Sequence, residues 1–159
     1  MSQASRNFEI RLSARTARIL SVATYSALSL GYLGIAVGSP EPRGVELATA
    51  LLRIAGLLGA VLLFLSGYGQ LSQKAETELD EREVAIRNRA YVLTHQIMVA
   101  VLFLGFFWVS IANKLGWWLP GASDAADMIT AFGLGSMALP AAILAWRDRT
   151  AIDPEGEDA

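Results

Sequence analysis

Charged residues crowd into a few short segments of this chain and leave four long runs without any, at 19–40, 54–73, 90–113 and 128–146. An α-helix rises ~1.5 Å per residue, so roughly 20 residues cross a hydrocarbon layer ~30 Å thick. Each run meets that length or comes close, and the fourth gains a turn if Ala125 and Ala126 are included. The cores of soluble proteins seldom need four such stretches in succession. The pattern therefore predicts an all-α integral membrane protein, a four-helix bundle with spans at about 18–38, 50–71, 90–113 and 125–146. Residues 1–150 form its single domain, and the acidic segment 151–159 is expected to be a disordered tail.

The basic residues set an orientation, because Lys and Arg in short loops stay cytoplasmic. One side carries Arg6, Arg11, Arg15, Arg18, Lys74, Arg82, Arg87, Arg89, Arg147 and Arg149; the other carries Arg43, Arg53 and Lys114. Ten against three places both termini in the cytoplasm, as an even number of spans requires. The first run has a competing reading. Its arginine lead and the small residues Ala36-Val37-Gly38 have the layout of a signal peptide, but its apolar stretch exceeds the usual 7–15 or so residues. The Arg- and Ser-rich start also has the look of a mitochondrial presequence, which Glu9 weakens. Pro40 and Pro42 stop the first helix, and Trp117, Trp118, Pro120 and Gly121 end the third at headgroup depth. Ser123 is placed to cap the fourth helix, with Asp124 and Asp127 in its positive first turn.

The link between spans two and three is the most individual segment. Residues 72–89 contain no Gly or Pro and are predicted to form a cytoplasmic helix that runs into the third span. Glu78 and Arg82, and Glu83 and Arg87, stand at i,i+4 in the favourable order. The run Leu79-Asp80-Glu81-Arg82-Glu83, followed by Ile86, Arg87 and Ala90, resembles a family of small bacterial membrane proteins of unknown function that carry an Asp-Glu-Arg-Glu stretch before a transmembrane helix. The resemblance covers about a dozen residues and the arrangement of spans, and it implies a bacterial inner membrane and no activity.

Composition narrows the chemistry further. Hydrophobic residues make up 53% and charged residues 18%, with a net charge of −2; no basic stripe exists for a nucleic-acid backbone. The absence of cysteine removes disulfides, thiol chemistry and Cys-based zinc sites. His95 is the only histidine. It falls inside the third span with Tyr91, Met98 and Asn88 on its face, either as a titrating or ligand-contacting group or as a histidine bonded to a neighbouring helix. A bis-histidine haem would need a second chain. No nucleophile or phosphate-loop motif is present, so the expectation is a non-enzyme without cofactors.

Arg53 and Asp127 lie near the outer ends of spans two and four and are expected either to pair or to reach separately to water. His95 and Asp127 stand at opposite boundaries, on the order of 20 Å apart, and form no direct relay. Small residues on one face of the first, second and fourth helices (Ala23, Ala27 and Gly31; Gly56 and Gly59; Gly135, Ala138 and Ala142) suit close packing within one chain. Two functions remain. The first is an accessory or regulatory subunit that docks a membrane-protein partner through Glu78, Glu81, Arg82, Glu83 and Arg87. The second is a small transporter working as a homo-oligomer in the bilayer, with a route lined by His95, Tyr91 and a fourth helix kinked at Pro140. No span has a charge at its midplane, and the first lacks the buried acid of small multidrug exporters.

Overall fold

The computed structural model describes residues 10–36, 43–117 and 119–147. The acidic tail, the turn prolines Pro40 and Pro42, and Trp118 lie outside the described residues. The fold is all-α, with five helices: α1 (Ala14–Ala36), α2 (Arg43–Phe64), α3 (Gly67–Gln73), α4 (Glu81–Leu115) and α5 (Ala122–Arg147). Among the described residues three of them, α2, α4 and α5, are long and apolar enough to cross a membrane. α1 has a similar length, 23 residues, but interleaves its apolar positions with Ser21, Thr24, Tyr25, Ser26, Ser29 and Tyr32.

The helix boundaries follow from caps. The Ser13 hydroxyl accepts from the Thr16 amide at 3.1 Å and opens α1. Asp80 opens α4 in a reciprocal capping box: its carboxylate accepts from the Glu83 amide at 2.6 Å, and Glu83 accepts from the Asp80 amide at 3.2 Å. α4 closes at Gly116, whose φ of 67° is the left-handed geometry that favours glycine. α5 begins at Ala122, so Ser123 already lies inside its first turn. Asp124, not Ser123, does the capping, accepting from the Gly121 amide at 3.2 Å.

Two expectations about the second span and its link are corrected. α2 starts at Arg43 and stops at Phe64, so the helix is displaced toward the N-terminus from 50–71. The stop comes at Ser66, which is extended (φ −72°, ψ 164°) and caps α3. Ile10 straps this break, donating to the Leu65 carbonyl at 3.4 Å and accepting from the Gly67 amide at 3.2 Å. The link 72–89 is not one helix. α3 ends at Gln73, a single 3-10 turn covers Glu76–Glu78, and α4 starts afresh at Glu81. The Asp80–Glu83 box breaks the helix in a stretch with no Gly or Pro, and only residues 81–89 are continuous with the long helix.

The packing is built from small residues. α1 and α2 run antiparallel: a side-chain carbon on Gly31 would press on Arg53, one on Gly56 on Leu28, and one on Gly59 on the Thr24 hydroxyl. α1 and α5 also run antiparallel, joined at four levels by side-chain hydrogen bonds. Ala60, Leu63 and Ala138 are buried together between α2 and α5. At the end that carries α3, Tyr68 packs with Ala17, Ala90 and the buried run Ala141–Ala145. Gly31, Gly56, Gly59, Gly135, Ala138 and Ala142 thus face inward, whereas Ala23 is exposed. α5 continues through the buried Pro140.

α4 differs from the rest. Only Arg87, Ala90, Thr94 and Ala112 of its 35 residues are buried. From Leu102 to Val109 every residue is exposed, which covers the full circumference of the helix. Its first turns pack against α3 and the end of α5, and beyond Val101 Ala112 alone is buried.

Gly69 shows the tightest approach. A side-chain carbon there would fall within bonding-like range of the Phe64 carbonyl oxygen, where α3 folds back over the end of α2. Gly69→Ala is expected to cost about 1–3 kcal/mol, since the obstacle is backbone. Gly105→Ala, which meets nothing within 4 Å, should stabilise slightly, by up to about 1 kcal/mol. Thermal unfolding in one detergent checks both; equal effects of the two substitutions would contradict this packing.

Candidate functional site

Three places collect the polar side chains that the helices do not use for themselves. The first is at the end of the bundle opposite α3. The Arg53 Nη1 atom lies 3.7 Å from Asp127 Oδ2, so α2 and α5 do bring this sequence pair together. α1 completes the group. Its Tyr32 ring sits 5.9 Å beneath the Arg53 guanidinium, and the Tyr32 hydroxyl donates to the Asp127 carbonyl oxygen at 3.0 Å. Gly31 leaves room for the Arg53 stem.

Arg53 is 22% exposed and Asp127 64%, so the ion pair is half-wet and contributes at most about 1 kcal/mol. Arg53 Nε is buried without a hydrogen-bond partner. Because α2 begins at Arg43, Arg53 stands near the middle of its helix, while Asp127 is within the second turn of α5. α2 therefore projects roughly 15 Å beyond the level of the pair.

The second place is at the α3 end. Arg87 was expected on an exposed charged face, but it is only 7% exposed. It donates to the Lys74 carbonyl at 2.6 Å and to Glu76 Oε1 at 3.1 Å. One helical turn further on, the Tyr91 hydroxyl donates to the Ser72 carbonyl at 2.9 Å. These two side chains of α4 satisfy carbonyls that the end of α3 leaves open. The expected i,i+4 pair of Glu83 and Arg87 does not form. Glu83 is engaged by Asp80 and Arg87 has taken Glu76, while Glu78 falls in the 3-10 turn before α4 starts. Glu81, Arg82 and Glu83 remain exposed at the start of α4, with Arg89 one and a half turns on.

The third place is a groove between α1, α4 and α5. It consists of a cavity of about 740 Å³ and one of about 310 Å³, and Tyr25, Ser29 and Leu139 line both. Neither His95 nor Tyr91 lines them. His95 is exposed on α4, and Tyr91 points back to α3, so the structure does not gather the two around a route through α5. Among the described residues no group of three His, Asp or Glu side chains converges to hold a metal ion.

The capping box and the inward Arg87 were the features that helical periodicity missed. Asp80-x-x-Glu83 is a readable signature of a helix start; nothing in the spacing marks Arg87 as the arginine that turns inward. The comparisons with known proteins add no relative: no family model, curated protein or solved structure matches this chain.

The outer cluster is tested by uncoupling its parts. Asp127→Asn should lower unfolding free energy in detergent by at most about 1 kcal/mol. Arg53→Ala should cost about 1–3 kcal/mol, because it also empties the space over Gly31 and Tyr32. The double variant should show a coupling no greater than about 1 kcal/mol. Equal losses from the two single substitutions would contradict a role for Arg53 beyond the ion pair.

Proposed function

We propose that this chain is a four-span integral membrane protein with both termini in the cytoplasm, acting without catalysis as an accessory or regulatory subunit that presents α4 to another membrane protein. The observation that carries this reading is the uneven burial of the helices. α5 is half buried within the chain while α4, the longest helix, is almost bare. Lipid alone can cover apolar side chains. A helix that is held rigidly at one end, capped, charged on its first exposed turn and bare around its distal half is also suited to dock along its length.

Helix directions support four crossings. α1 opposes both α2 and α5, and α2 runs parallel to α5; α4 opposes α5, its Ala90 meeting Ile143 and its Val101 facing Ala131 across the smaller cavity. The lysine and arginine bias then places the α3 end in the cytoplasm. A bacterial inner membrane is the setting implied by the resemblance at Leu79–Glu83 and is part of the proposal. Glu81, Arg82 and Glu83 supply the polar contact at the surface, and the Phe103–Trp108 stretch supplies the apolar one. Arg87 holds the link in place and belongs to the scaffold.

The transporter alternative has one supporting observation, the groove itself. Among the described residues Arg147, at the mouth, is the only charged one in its lining, and none of them is a buried acid or base suited to proton coupling.

A photoreactive residue at Glu83 and another at Phe106, each in native membranes, distinguish the readings. The accessory-subunit reading expects both positions to give an adduct with the same second protein, and the combined charge reversal of Glu81, Arg82 and Glu83 to remove the Phe106 adduct. Adducts only with a second copy of this chain would contradict it and favour the homo-oligomer.

A further inference from the structure

We infer that the groove between α1, α4 and α5 is a binding site for one acyl chain of an anionic phospholipid, whose phosphate lies at Arg147. The groove runs from Ser21 and Trp146 at the α3 end to Tyr32 and Met128 at the other. Ser21 to Tyr32 is eleven residues, or ~16 Å of helix, about half of the ~30 Å hydrocarbon layer. The groove therefore has the depth of one leaflet.

Its walls and the charge at its mouth point to an acyl chain with an anionic headgroup as the occupant. α4 walls one side with Leu93, Ile97, Met98 and Val101. The chemistry of the walls disfavours a polar ligand. The Tyr25 hydroxyl is committed to the Gly135 carbonyl at 2.8 Å, the Tyr32 hydroxyl to the Asp127 carbonyl, and Ser21 accepts from Trp146 Nε1 at 3.0 Å. Those hydroxyls serve the α1–α5 contact and leave a lining that is otherwise mainly aliphatic and aromatic.

Charge selects the headgroup. Arg147 lines the mouth and is exposed, with Arg15 exposed on the adjoining α1. The Arg18 guanidinium lies 5.8 Å from the centre of the Trp146 ring and donates to the Ala145 carbonyl at 2.8 Å, so its charge is fixed at the same level. The acids on the wall helix, Glu83 and Glu81, stand ten and twelve residues before Leu93, about 15–18 Å along α4. Arginines beside a tryptophan at the end of an apolar groove between membrane helices match a phosphate headgroup at the interface.

The test is native mass spectrometry of delipidated full-length protein with phosphatidylglycerol or phosphatidylcholine of matched chains. One phosphatidylglycerol per chain should remain bound, at least fivefold more tightly than phosphatidylcholine. Arg147→Gln should abolish that preference, and Ser29→Phe, which fills the segment shared by both cavities, should lower retention of either lipid at least fivefold. Should Ser29→Phe fail to fold, Ser26→Phe replaces it in the larger cavity and carries the same expectation. Equal retention of the two lipids by the unaltered protein, full retention in the folded Phe variant, or displacement of the lipid by inorganic phosphate alone would each overturn the assignment.

Discussion

The rest of the molecule depends on α1 being fastened to α5. In a medium without water, polar side chains on a helix must find partners on a neighbouring helix. α1 carries more hydroxyls than its neighbours and spends them on α5: Tyr25 and Tyr32 reach main-chain carbonyls, and Ser21 takes the Trp146 indole. Arg18 adds a bond to the Ala145 carbonyl at the α3 end. These contacts fix the axial register of the two helices. α2 then closes on the adjacent face of α1, where Gly31, Gly56 and Gly59 permit close approach, and also packs on α5. The same residues that lower the hydropathy of α1 are thus the ones that hold it in the bundle.

That three-helix unit explains why α4 is different. α5 packs against α1, α2 and α3, and α4 shares a core with its last turns around Ala90 and Leu93 while Ile97, Met98 and Val101 border it across the smaller cavity. The link is secured by Arg87 and Tyr91, which turn back onto α3 carbonyls. α4 leaves this anchor as a single capped helix and diverges from the bundle. One geometric fact, a helix fixed at one end only, produces both the groove beside α1 and the bare distal surface. The proposed lipid and the proposed protein partner would thus address different parts of α4, the wall side near Leu93–Val101 and the free side beyond.

Much of this was legible in the sequence. Uncharged runs marked the long helices, because length and charge exclusion are properties of a helix in hydrocarbon. Shared depth raised the Arg53–Asp127 pair as one of two readings; the start of α2 at Arg43 was not legible, and the span was expected to begin only at about 50. The small residues told which faces of α2 and α5 pack, whereas on α1 Gly31 is buried and Ala23 is exposed. The link read as one helix because alternating charges without Gly or Pro satisfy helical periodicity, while a capping box is a local signal that overrides it. The splaying of α4 left no trace, since lipid-facing and partner-facing apolar residues have the same composition. His95 drew notice as the lone histidine, yet its position outside the groove depends on the rotation of α4, which no local pattern encodes.

The central claim is that α1 crosses the membrane with the other three long helices. The chain has no cysteine, so a single introduced one reports its side without background. Arg11→Cys, Thr77→Cys and Lys114→Cys place one reporter before α1, one between α3 and α4, and one at the end of α4. With a membrane-impermeant maleimide on intact cells, four crossings predict labelling of the Lys114 position alone, and labelling of the Arg11 and Thr77 positions only after permeabilisation. Labelling of the Arg11 position in intact cells, with the Thr77 position still protected, would contradict the claim and leave three crossings with α1 outside the count.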